Sequence, residues 1–179
     1  MTKSKKVALC GVMCALAFVF SYIDSFIILL PAIPGIKLGL ANIVIMAAMY
    51  LIGISEAVWI NLARIILSAI LFTNAQSFLF SLCGAVLSMA VMLIIKKINQ
   101  RPENKLDAKR PGLLEIVTVS EFGSIFHITG QLLAALLFFE AGVLAYYSFY
   151  LYLSAVICGI LTGFISFILI NRVSKESNN

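Results

Sequence analysis

Between Lys6 and Lys96 the chain carries only two positive charges, Lys37 and Arg64, in sequence dominated by Leu, Ile, Val, Ala, Phe and Met. Soluble domains have roughly a quarter of their residues charged, whereas here 12% are charged and 62% hydrophobic. The pattern predicts an all-α integral membrane protein, because only helices that satisfy their own backbone, or closed barrels, can cross hydrocarbon. The other cations fall in three clusters: Lys3, Lys5 and Lys6; six from Lys96 to Arg110; and Arg172 with Lys175. Cytoplasmic loops of membrane proteins retain Lys and Arg. The net charge of +5 is therefore read as a topology signal, not as a nucleic-acid footprint.

A bilayer core about 30 Å thick takes roughly 20 residues of helix. Six spans are expected, at about 7–30, 40–54, 57–73, 76–95, 113–139 and 145–170, with a cytoplasmic loop at 96–112, all in one domain, 1–179. The first span reads as a retained helix, since its apolar run exceeds the roughly 7–15 residues of a signal-peptide core. Gly53 and Ser55 separate the second span from the third by a tight turn. Six spans place both termini on one side, and the cation clusters make that side the cytoplasm. The junction "LLPAIPGIKLGLAN", 29–42, is then outside, and Lys37 is the one cation of the outer junctions. Pro31 and Pro34 cannot continue a helix, and Gly35 and Gly39 permit close or unusual backbone. The junction reads as a turn, or as a cap over an outward pocket.

Polar residues that remain in hydrocarbon should face a partner or a cavity. Asn61, Arg64 and Ser68 share one helical face, as do Ser120, Ser124, His127 and Gln131, and the small residues Ser77, Ser81, Gly84 and Ser88. The last stripe, and the Gly159/Gly163 pair, read as close helix packing. Gly11 and Ala15 form another small pair, open to internal packing or to a partner protein. Arg64 is read either as half of a salt bridge with Asp24 or Glu121 or as the receptor of an anionic head group. Lys37 could share the second task, with Asn42, His127 and Gln131 donating hydrogen bonds and Asp24 holding the cations when the site is empty. Phe18, Tyr22, Phe26 and Trp59 could line an apolar pocket. The ligand expected is a small amphipathic anion.

Several chemistries lack their motifs. One histidine with no cysteine or carboxylate at ligand spacing makes no tetrahedral zinc site, and the four cysteines, all in apolar segments, read as packing residues. There is no G-x-S-x-G elbow and no G-x-x-x-x-G-K-[ST] loop. The two aspartates, Asp24 and Asp107, lie on different segments, so no aspartate-rich run is present to hold a magnesium diphosphate. The expectation is a protein that is not itself an enzyme and that uses no cofactor.

Three phrases, "IKLGLANIV" at 36–44, "FSLCGAVLSMAVM" at 80–92 and "HITGQLLAA" at 127–135, together resemble the small bacterial membrane family labelled heptaprenyl diphosphate synthase component I, also called Gx transporters. That family commonly has Asn after the motif histidine, where this chain has Ile128. It is similar in turn to the S components of energy-coupling-factor vitamin transporters. The resemblance implies a six-helix multi-pass protein of the bacterial cell membrane, with an outward site capped by the loop after the first helix. It also implies that Gly11 and Ala15 meet an energy-coupling membrane protein driven by separate ATPases. The family label itself implies a second role, as a noncatalytic membrane subunit of a polyprenyl diphosphate synthase. With either role, an isoprenoid phosphate or a quinone precursor is the expected ligand.

Overall fold

The computed structural model describes residues 3–27, 37, 39–72, 75–99 and 111–176. Within them the chain forms six helices: α1 Lys3–Phe26, α2 Asn42–Leu51, α3 Ile54–Phe72, α4 Ala75–Asn99, α5 Leu113–Ala135 and α6 Ala141–Glu176. Four of these, α1, α3, α4 and α6, are long and apolar enough to cross a membrane. α5 has the length, at 23 residues, but its mean hydropathy is lowered by Glu115, Glu121, His127, Gln131 and the serines. Ser120, Ser124, His127 and Gln131 are buried against other helices, so part of the loss of hydropathy comes from the inward face.

The helix ends differ from the expected spans in ways that backbone chemistry explains. α1 stops at Phe26, short of residue 30, and α5 stops at Ala135, short of 139, followed by turns through Phe138. α4 runs on through Lys96 and Lys97 to Asn99, taking in the first residues of the expected loop, and cations suit the negative end of a helix. The rest of that loop, 100–110, lies outside the described residues. α6 is 36 residues long and starts at Ala141, so it exceeds the expected 145–170 at both ends.

α2 is the shortest element and the most enclosed. Its ten residues rise about 15 Å, half the bilayer core, and eight of them are buried. It packs against α1, α3, α5 and α6. An apolar helix that meets protein on every side needs no polar face. The expected turn after it is tighter than Gly53 and Ser55 suggested: Ser55 is already helical, and the chain reverses through Ile52 and Gly53 alone. Gly53 has φ +154, its N–H donates to the Ala48 carbonyl at 3.1 Å, and its carbonyl accepts from Ala57 N at 3.1 Å. One residue thus closes α2 and opens α3, in a conformation that disfavours any side chain.

Small residues set the contacts among α4, α5 and α6, as their spacing predicts. A Cβ on Gly130 would lie 2.5 Å from the Cys83 carbonyl oxygen, and one on Gly163 would lie 2.9 Å from Val117 Cα. Ser120 and Thr162 share a hydrogen bond of 2.8 Å across the α5–α6 contact. Gly11 and Ala15 do the reverse. Both are exposed, and nothing lies within 4 Å of where a Gly11 Cβ would be. α1 turns Met13, Ala17, Ser21 and Asp24 inward and leaves the Gly11 face uncovered.

Candidate functional site

The six residues expected to bind a ligand are brought together at the end of the bundle where α1 stops and α2 starts. All six are buried, with relative exposures of 3% for Asp24, 7% for Lys37 and Asn42, 6% for Arg64, 3% for His127 and 0% for Gln131. Asp24, in the last turn of α1, accepts hydrogen bonds through Oδ2 from the backbone N–H of Gly39 at 2.8 Å and of Leu40 at 3.3 Å. Gln131 of α5 clamps the junction a second time. Its Oε1 accepts from Lys37 N at 3.0 Å and its Nε2 donates to the Lys37 carbonyl at 3.1 Å. Gly39 has φ +85, and a Cβ there would crowd Asn42 Nδ2 at 3.2 Å and His127 Cδ2 at 3.3 Å. The described part of the junction, residues 37 and 39–42, is therefore held against α5 and the end of α1, with glycine where it comes closest to His127; Pro31, Pro34 and Gly35 lie outside the described residues.

Arg64 reaches the cluster from the middle of α3. Its Nε donates to Asn61 Oδ1 at 2.9 Å, one turn back on the same face, and its Nη1 donates to Ser21 Oγ at 3.0 Å. Both acceptors are neutral. Among the described residues the buried Nη2 has no hydrogen-bond partner, and the same is true of Asn42 Nδ2. His127 packs its ring on the Gly84 backbone, which gives it an electrostatic contact, but Nδ1 has no partner of sound hydrogen-bond geometry. A buried donor without an acceptor costs roughly 1–3 kcal/mol. Arg64 Nη2 and Asn42 Nδ2 are two such donors in one cluster, which describes a place short of acceptors among the described residues.

The charges of the cluster act on one another. The field of Asp24 reaches both Arg64 and Lys37, and those two cations reach His127. With one carboxylate against two cations, the cluster carries a surplus positive charge. Lys37 lies between helices, and burial pushes its ammonium below the ordinary lysine value; Asp24 opposes this and Arg64 adds to it. Asp24 is thus the carboxylate associated with Arg64. Glu121, the other candidate, lies on the side of α5 toward α6, with Oε2 2.5 Å from where a Gly159 Cβ would be.

Two further readings change. Trp59 is 69% exposed and Phe26 66%, and Tyr22 stacks edge-on with Phe26 on the outer face of α1. These aromatics face outward and do not wall the cluster. The other is Lys96, which counted only as a topology charge. It is 7% exposed, donates from Nζ to the Met49 carbonyl at 2.7 Å, and lies 4.1 Å from the centre of the Tyr50 ring. Tyr50 in turn donates to Glu115 Oε1 at 3.0 Å. Carbonyls in the last turn of a helix lack intrahelical partners, so Lys96 supplies what the C-terminus of α2 lacks. Its place directly after an apolar run was the available signal.

Among the described residues no three His, Cys, Asp or Glu side chains are grouped to hold a metal ion. The three phrases singled out in the sequence meet in space. Gly39 from the first lies against His127 from the third, while Gly84 from the second lies under His127 and Gln131. The chain matches the family described as heptaprenyl diphosphate synthase component I over residues 13–169. It belongs to that family. The component I match starts halfway along α1 and ends in α6, so it takes in every residue of the cluster. No curated protein and no solved structure matches the chain.

Proposed function

We propose that this component I protein is a membrane-embedded binding protein for a small amphipathic anion, and that the anionic head sits at Arg64, Lys37, Asn42 and His127. The observation that carries this is Arg64 Nη2. Among the described residues, a guanidinium whose other nitrogens are held by neutral Asn61 and Ser21 keeps one donor without an acceptor in a buried, cation-rich cluster. Phosphate and carboxylate oxygens are the acceptors that match such a fork. Gln131 and Asp24 hold Lys37, Gly39 and Leu40 at the site, and Asp24 partly balances the cations until the ligand arrives. The family description makes an isoprenoid phosphate or a quinone precursor the preferred head-and-tail combination. All six helices are then embedded in a bacterial cell membrane, with α2 and α5 enclosed by the others and both termini cytoplasmic.

The test is mass spectrometry of small molecules retained by the purified protein, compared with Arg64→Ala. Loss of a charged hydrogen bond costs about 1.5–3 kcal/mol, so retention of a phosphorylated or carboxylated amphiphile should fall roughly ten- to hundredfold. Equal retention by folded wild type and variant would remove Arg64 from the site. Binding serves transport if the Gly11 and Ala15 face of α1 docks an energy-coupling membrane protein with its ATPases. A Cβ at Gly11 meets no described atom within 4 Å, so for Gly11→Leu uptake should fail while ligand binding survives.

The family description favours a second reading, a noncatalytic membrane subunit that supplies substrate to a soluble prenyl synthase. Co-purification with such a synthase, and a change in its rate on mixing, would support that role. Accumulation of ligand by proteoliposomes would support transport.

A further inference from the structure

The cluster accounts for a head group and leaves its apolar part without a place. Of the aromatics that might have held it, Tyr22, Phe26 and Trp59 face outward and Phe18 is half-buried. One apolar depression does adjoin the cluster, a groove of about 210 Å³ between α3 and α4. Asn61, Ile65, Ala85 and Met89 form its buried floor, and Val58 and Val86 are exposed on its rim. α4 meets α5 through glycines, but α3 has none, and branched side chains hold α3 and α4 apart. The groove is open on the face that the bilayer covers.

Asn61 joins the two features. It lines the groove, and its Oδ1 receives Arg64 Nε at 2.9 Å. The head-group receptor is therefore one hydrogen bond from an apolar channel. From Ile65 to Val58 the groove follows seven residues of α3, about 10 Å of rise, running from the level of Arg64 toward the N-terminal end of α3 and away from the junction. An amphiphile with its head at Arg64 would lay its tail in that direction. The volume is below the ~300–1,000 Å³ of closed small-molecule pockets, which suits one slender chain and leaves no room for two.

Resting on the function proposed above, we infer that the α3–α4 groove is the tail site of a single-chain anionic amphiphile, which reaches Arg64 sideways from the bilayer. Placing a chain there from lipid brings little hydrophobic gain, because lipid tails are as apolar as the groove. The head supplies the affinity and the groove selects the shape.

The probe is decyl phosphate with a photoreactive diazirine at the chain end, cross-linked to the protein in nanodiscs and mapped by mass spectrometry. Butyl phosphate, too short to fill the groove, reports head-group binding alone. Cross-links are expected at Val58, Val86 or Met89, and excess butyl phosphate should displace them. Val86→Trp and Val58→Trp, both at exposed positions, should reduce those cross-links at least about tenfold while changing butyl phosphate affinity less than about twofold. Cross-links scattered over α1 and α6, or unchanged by both tryptophans, would overturn the groove and leave the head-group reading standing. Groove cross-links that butyl phosphate does not displace would mean ordinary lipid occupancy and overturn it equally. If neither phosphate binds, the groove falls with the reading on which it rests.

Discussion

At the scale of single residues, the molecule is explained by buried polar atoms that lack partners among the described residues. Arg64 and Asn42 each bring a donor, and His127 a ring nitrogen, into a buried cluster without satisfying it there, and Lys37 brings a cation that burial makes easier to neutralise. The sign of the pH effect follows. A bound anion favours the charged ammonium, so affinity should be steady while Lys37 is protonated and should fall as pH rises through its depressed titration. Lys37→Met should bind more weakly at neutral pH and lose that fall, as measured by calorimetry across alkaline pH. A slope unchanged in the variant would assign the titration to another group. The cluster was legible in the sequence because charge in hydrocarbon is costly, and each of these residues is conspicuous among Leu and Ile. The outward direction of Trp59 and Phe26 was not, since aromatic rings suit lipid and a pocket equally and no local pattern separates the two.

At the scale of helices, close approach by glycine separates firm contacts from loose ones. Gly130→Ala would place a methyl 2.5 Å from the Cys83 carbonyl oxygen, where the backbone cannot yield as a side chain can. Overpacking of this kind costs about 1–3 kcal/mol and should lower the unfolding temperature in detergent. Gly11→Ala, with open space at its Cβ, should instead raise helix stability by about 0.5–1 kcal/mol, and a loss there would indicate a contact on that face. The number of helices was legible because Gly53, the prolines of the junction and the charged segment after Lys96 interrupt the apolar runs. The ends were less so. α6 continues four residues earlier than expected, at Ala141, because nothing near residue 145 breaks a helix. The groove between α3 and α4 depends on which side chains happen to face each other, and helical spacing alone does not contain that information.

At the scale of the whole molecule, the two ends of the bundle are built differently. One end holds the cation-rich cluster, and the other joins Lys6 to Glu56 and Lys96 to Met49, Tyr50 and Glu115. If the termini are cytoplasmic, single cysteines introduced at Ser4 and Ser174 should react with a membrane-impermeant maleimide only after the vesicle interior is opened, and one at Ala141 should react from outside. The opposite labelling would invert the bundle. α2 connects these ends although its ten residues rise only about 15 Å. A helix carries roughly half a positive charge at its N-terminus and half a negative one at its C-terminus. Asn42, at the N-terminus, belongs to the cluster, and Lys96 bonds a carbonyl at the C-terminus. α2 is thus a short polarised rod with a lysine at its negative end and the Asp24 carboxylate on the Gly39 and Leu40 N–H groups at its positive end, so on the binding reading proposed above an anion at Arg64 would share that end of the rod with Asp24.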